Sequence, residues 1–213
     1  MKLLGFLLQG ALVSLQVFFL TLLFSLPLGL IVAFGRMSKK KWISAPVKFY
    51  ILIMRGTPLI LQLFFIYFVP SYLPGILKFN LDRFVAAILA FSLNYAAYFA
   101  EIYRAGIESI PQGQYEAAAV LGLTKLQTFF RIILPQVIKR ILPPVSNEVI
   151  TLVKDTALVQ VIGVSEMFRV AKNEASRISS VTPLFTAGVF YFFMNWAVTK
   201  VFDICEKKLS YYR

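Results

Sequence analysis

The chain has 213 residues, of which 59% are hydrophobic, and a mean hydropathy of +0.75. Its apolar runs approach the roughly 20 residues that a helix needs to cross a bilayer, so the composition is that of an integral membrane protein. The 22 Lys and Arg against 10 Asp and Glu give a net charge of +12, an excess that suggests nucleic acid in a soluble protein but follows from basic cytoplasmic loops in a membrane protein, so no nucleic acid partner is expected. With no His and only Cys205, the composition excludes Ser-His and Cys-His nucleophile pairs, His-dependent zinc and haem sites and an intrachain disulfide.

Five apolar segments are predicted in chain order, at about 5–35, 47–69, 84–106, 141–163 and 184–204, giving an all-α integral membrane fold in a single domain over 1–213. The first exceeds one crossing and holds Pro27-Leu28-Gly29, where a kink or tilt absorbs the extra length. It is too long for a signal peptide and its positive charge follows it, at Arg36, Lys39, Lys40 and Lys41, so a retained helix is expected. Pro143-Pro144 is expected to bend the fourth helix. Between the third and fourth segments, 108–135 reads as a loop.

With the N-terminus outside, 14 of the 22 basic residues fall on the inner side, among them Arg36, Lys39, Lys40, Lys41, Lys139, Arg140 and Arg213. Six fall outside, at Lys2, Lys78, Arg83, Arg169, Lys172 and Arg177. That bias puts the 108–135 loop and the C-terminus in the cytoplasm. No phosphate-binding G-x-x-x-x-G-K-[ST] loop is present, and no segment outside the membrane is long enough for a nucleotide-binding or solute-binding domain. Energy and solute recognition are therefore expected from other chains.

Ionisable groups inside membrane helices cost roughly 2.5 to 3.5 kcal/mol on insertion scales and face a bundle interior, a partner charge or a water-filled path. Glu101, Glu148 and Asp155, with Arg55 and Lys154, are such groups here. Asn94, Tyr98 and Glu101 lie four and three apart and share one helix face. A zwitterion needs donors for its carboxylate and acceptors for its ammonium, and this stripe offers both, with Asp155 and Thr156 adding to it from the fourth segment. The bland readings stand beside these. Glu101 pairs with Arg104 one turn on, Arg55 neutralises Glu148 or Asp155 between helices, and Asn94 is interhelical glue worth about 0.6 kcal/mol. For Glu148 the structural reading is the expectation.

The stretch Gln114-Tyr115-Glu116-Ala117-Ala118-Ala119-Val120-Leu121-Gly122, followed by Ile132-Ile133-Leu134-Pro135, resembles the EAA loop of ABC importer permeases. The family pattern is Glu-Ala-Ala, three residues, Gly, nine residues, Ile, one residue, Leu-Pro, and Glu116, Gly122, Ile132, Leu134 and Pro135 fall in register. The resemblance implies a type I-like permease in which Glu116, Ala117, Ala118 and Gly122 belong to a short cytoplasmic coupling helix that docks into a separate ATPase subunit. Its composition supports a protein groove over a membrane surface, since the small, lightly charged run lacks the bulky apolar and basic faces of an interfacial helix. Gly122 offers freedom for a sharp turn, and Pro135 suits a helix start.

Four further stretches resemble the polar amino acid uptake branch of those permeases: Arg55-Gly56-Thr57-Pro58-Leu59, Asn94-Tyr95-Ala96-Ala97-Tyr98 with Glu101, Ile110-Pro111-Gln112-Gly113 and Lys154-Asp155-Thr156-Ala157-Leu158. The resemblance spans about 12–203. It implies a multi-pass subunit in a bacterial or archaeal inner membrane, working with a second identical or homologous permease, an extracytoplasmic solute-binding protein, and an ATPase that holds ATP and Mg, no cofactor being expected in this chain. The implied cargo is a polar amino acid, the acidic residues favouring the basic ones, and the candidate substrate residues are Thr57, Asn94, Tyr98, Glu101, Asp155 and Thr156. A passive channel or pore subunit accounts for the apolar helices and the intramembrane charges, but gives no reason for an in-register EAA loop. An intramembrane hydrolase would have to draw its water-activating pair from Glu and Asp alone.

Overall fold

A computed structural model describes residues 2–74 and 79–209, so Lys78 and Arg213 of the charge tally lie outside the described residues. Every regular element in the described residues is helical. In chain order they are α1 (Lys2–Arg36), α2 (Lys41–Gly56), α3 (Leu59–Tyr72), α4 (Arg83–Glu108), α5 (Gln112–Val120), α6 (Lys125–Thr128), a π-helical turn (Phe129–Ile133), α7 (Leu134–Asp155), a 3-10 segment (Thr156–Ile162), α8 (Met167–Arg177) and α9 (Thr182–Leu209).

The centre of the bundle is α4. Asp82 caps its N-terminus by accepting from the amides of Phe84 and Val85. Its alanines, Ala86, Ala87, Ala90, Ala96, Ala97 and Ala100, are fully buried and let neighbouring backbones approach, while Phe91, Tyr95 and Phe99 fill the space between them. Along α1, Ser14, Val17, Phe18, Thr21 and Ser25 are buried at helical spacing, and that stripe faces the core; Leu12, Phe19, Leu23 and Ile31 point outward. Pro27 lies inside α1 without ending it. The outward faces of α9, with Phe185, Phe192, Phe193 and Trp196 all more than half exposed, have the character of a lipid-facing surface.

Three helices, α1, α4 and α9, are each long and apolar enough to cross a membrane. The expected second segment is a broken one: α2 and α3 are long and apolar enough to cross a membrane only when taken together, and they meet at a bend of 111°. Pro58 causes the break. It disfavours the helical conformation at the preceding residue, and Thr57 sits extended at φ −123°, ψ 149°. The expected fourth segment also changes shape. Its helix starts at Leu134, with Pro135 in the first turn, bears Lys139, Arg140, Glu148 and Lys154 along an amphipathic course, and gives way at Thr156 to the 3-10 segment. Upstream there is no loop between it and the coupling region: α6, the π turn and α7 follow one another without a gap from 125 to 155, and Pro143 and Pro144 lie within the helix.

Candidate functional site

Two sites emerge, one at the α2–α4 junction and one on the 108–135 loop. At the first, the break after α2 strands its last carbonyls, which an unbroken helix would satisfy. Gln62 of α3 and Asn94 of α4 take them up. Gln62 Nε2 donates to the carbonyls of Met54 and Thr57 at 3.0 and 3.1 Å and to Thr57 Oγ1 at 2.8 Å. Asn94 Nδ2 donates to Met54 O and to Gln62 Oε1, both at 2.9 Å. The Thr57 hydroxyl donates back to Ile53 O at 2.8 Å. Asn94 and Thr57 are thus joined in one network that fixes the break against α4.

Two turns further along α4, the carboxylate of Glu101 receives three arginines from three helices. Arg104 makes the close contact, Nη2 at 2.7 Å and Nε at 3.1 and 3.2 Å. Arg36, at the end of α1, lies 3.6 Å away, and Arg55, in the last turn of α2, 3.9 Å away. The expected Glu101–Arg104 pairing is therefore present, with two further cations on the same acid. Arg55 also stands over the Tyr98 ring at 5.3 Å, a cation–π contact.

A cavity of about 560 Å³ opens beside this cluster, lined by Arg55, Tyr98, Glu101, Arg104, Arg140 and Glu148 among others. A second, of about 400 Å³, reaches Arg55, Tyr98 and Glu101 from the side of Arg36 and Lys48. The expected partnership of Glu148 with Arg55 is present as an attraction across the larger cavity that both line; among the described residues Glu148 makes no ion pair within 4.0 Å and no hydrogen bond. Asp155 accepts from the Tyr95 hydroxyl at 2.8 Å and the buried Thr156 hydroxyl donates to Val153 O at 2.8 Å. Of the candidate substrate residues, then, Tyr98 and Glu101 line the cavities; Thr57, Asn94, Asp155 and Thr156 line neither and have polar partners within the chain.

At the second site, α5 carries Glu116 and Ala117 exposed and Ala118 buried. It ends in a Schellman turn, Leu123 N–H bonding Ala118 O at 3.1 Å and Gly122 N–H bonding Ala119 O at 3.0 Å. Gly122 sits at φ +72°, the left-handed region, with open space where a Cβ would be. A capping box of Thr124 and Gln127 then starts the next helix. The loop is anchored from below by Ile110, Ile133 and Val137, and by Arg140, which donates to Ser109 O. Val120, Leu121 and Leu126 are 88%, 74% and 70% exposed around the turn. Sequence reading missed these three, although apolar residues flanking the turn glycine were visible.

A family model described as the binding-protein-dependent transport system inner membrane component matches residues 25–211. The chain belongs to this family. Among similar proteins, the arginine transport system permease protein of Bacillus subtilis is 38% identical over 209 residues, covering 96% of this chain and 93% of that one. The L-cystine transport system permease protein of the same organism is 39% identical over 195 residues, covering 91% and 82%. A crystal structure of an amino acid ABC transporter with histidines superposes at TM-score 0.88 and 34% identity over 97% of this chain and 95% of the other. An inward-facing methionine ABC transporter shares the fold at TM-score 0.75 and 19% identity over 98% of each. This permease is accordingly the multi-pass membrane subunit of an ABC importer.

Proposed function

We propose that this permease carries polar amino acids inward, with the cavity between Arg55, Tyr98 and Glu148 as the place where the cargo rests. The observation that carries the reading is the juxtaposition of a guanidinium held over an aromatic ring with an unpaired carboxylate across one cavity. Arg55 suits an α-carboxylate, Glu148 an ammonium, and Tyr98 the apolar part of the cargo. Glu101 acts one step back, holding Arg36, Arg55 and Arg104 in place. Asn94 and Thr57 fix the helix break, and Asp155 and Thr156 bond to Tyr95 and to the Val153 carbonyl at the end of α7. Broken helices beside a binding site are a recurrent device of transporters.

The N-terminus faces outward and the C-terminus the cytoplasm, in a bacterial or archaeal inner membrane. The amphipathic α7 crosses as a fifth span by turning its polar side to a second permease copy around a two-fold axis. A separate ATPase binds ATP and Mg, grips α5 and the Val120–Leu121–Leu126 patch, and drives the switch between inward- and outward-facing states, while an extracytoplasmic solute-binding protein delivers cargo. The chain itself has no catalytic role. Titrating that receptor with the twenty amino acids, then measuring uptake into proteoliposomes of the whole complex, tests the reading. ATP-dependent accumulation above the external concentration is expected; flux that only equilibrates would mark a passive pore and end the proposal.

A further inference from the structure

On the face where α4 begins and α8 lies, two arginines stand together without an acid. A Cβ at Gly163 would lie 2.9 Å from Arg83 Nη1 and 3.1 Å from Arg169 Nη1, so the two nitrogens are no more than about 6 Å apart. Among the described residues Arg83 donates to the neutral Tyr67 hydroxyl, at 3.3 Å, and pairs with no acid. Arg169 Nη1 is buried and has no hydrogen-bond partner. The acids nearest in sequence are engaged elsewhere, Asp82 capping α4 and Glu166 accepting from the amides of Phe168 and Arg169, from Tyr191 and from Ser14. Arg177, by contrast, is neutralised by Glu174 at 2.7 Å, and its hydrogen bond holds the Glu174 carboxyl below the usual carboxylate range.

A buried guanidinium N–H such as that of Arg169 Nη1 is costly without an acceptor and calls for a water or a partner group, while the exposed Arg83 beside it keeps its own donors open to solvent. The spacing is one that a single carboxylate bridges, each oxygen accepting at about 2.8 Å. The exposed Lys172, one turn from Arg169 along α8, extends the positive field, and Asn173 and Ser176 make the surrounding surface polar rather than lipid-compatible. We propose that Arg83 and Arg169 form a carboxylate clamp on the extracytoplasmic face that takes an Asp or Glu side chain of the docked solute-binding protein. This rests on the outward orientation and the receptor proposed above.

The test uses the permease–ATPase complex in nanodiscs and the purified, amino-acid-loaded cognate receptor. In the Arg83→Gln and Arg169→Met variants the receptor concentration for half-maximal ATPase stimulation should rise about tenfold or more, the loss expected for one charge-assisted bond, and should lose most of its salt dependence. Basal ATPase activity should not change, and Arg169→Met should melt no lower than wild type, because a structural arginine would be missed whereas an unpaired one is not. Equal stimulation of wild type and variants overturns the clamp alone. A wild-type complex that no receptor stimulates overturns the transport reading and the clamp together. Stabilisation of wild type but not Arg169→Met by free amino acid without receptor assigns the site to the cargo's own carboxylate and sinks the docking proposal.

Discussion

Replacing Glu101 by Gln separates a tie between helices from a cargo contact. The carboxylate is 17% exposed and its nearest partner, Arg104, 25%. Losing the charge weakens one close charge-assisted contact worth about 1.5 to 3 kcal/mol, of which the amide oxygen keeps a part. It also removes two longer contacts, at 3.6 and 3.9 Å to Arg36 and Arg55, each worth at most about 1 kcal/mol. Together these give about 2 to 3 kcal/mol, which for a chain of this size lowers the melting temperature by about 5 to 10 °C. Three guanidinium groups left around a neutral side chain also repel one another, so adding Arg36→Gln to Glu101→Gln should recover part of the loss. The assay is thermal unfolding of the detergent-solubilised complex beside uptake normalised to folded complex. Normalised uptake should change little in Glu101→Gln and fall in Glu148→Gln, whose melting temperature should hold. An unchanged melting temperature with abolished uptake in Glu101→Gln would show that Glu101 meets the cargo and that the tie between helices is incidental.

At the coupling turn, Gly122→Val places a β-branched residue at φ +72°, costing about 1 to 3 kcal/mol of local strain, whereas Gly122→Asn tolerates that region. ATPase activity should lose its response to receptor and cargo in the valine variant and keep it in the asparagine one; normal regulation in Gly122→Val would remove the turn from coupling. Gly106→Val brings a Cβ to 2.2 Å from Ile141 Cγ2 and should destabilise the complex by about 1 to 3 kcal/mol through α4–α7 separation, with Ile141→Ala restoring stability in the double variant. Val120→Glu, on a side chain 88% exposed, should leave the melting temperature of the isolated permease in place while the ATPase no longer co-purifies; retained co-purification would place the docking patch elsewhere.

The short helix and its closing turn were legible because the Glu116 to Gly122 spacing fixes where the glycine falls, and in space it is one helix closed by a left-handed residue. The pairing of Glu101 with Arg104 was legible too, being local to one helix. The α2–α3 break was not read, although Pro58 announced it, because apolarity runs unbroken from 47 to 69 and hydropathy registers environment rather than direction. Arg36 and Arg55 converge on Glu101 from separate helices, and only tertiary packing brings them there. The same holds for Arg83 and Arg169, which a charge tally counts as two residues on one side and nothing more. Glu148 was expected to be neutralised because an acid in a membrane helix ordinarily is; the cavity beside it is formed by residues of α2, α4 and α7 that only tertiary packing brings together.

If α5 docks on the ATPase as proposed, the gapless run from Lys125 to Asp155 would work as a lever. At 1.5 Å per residue it is about 45 Å long, so a tilt of about 5° at the coupling end sweeps its far tip through about 4 Å. No hinge loop interrupts it to absorb that stroke. On the coupling proposed above, stiffness along this run, rather than the strength of any one contact, would set how much of an ATPase's motion reaches Asp155 and its partner Tyr95, and softening its prolines or its π turn would dissipate the stroke without disturbing either end.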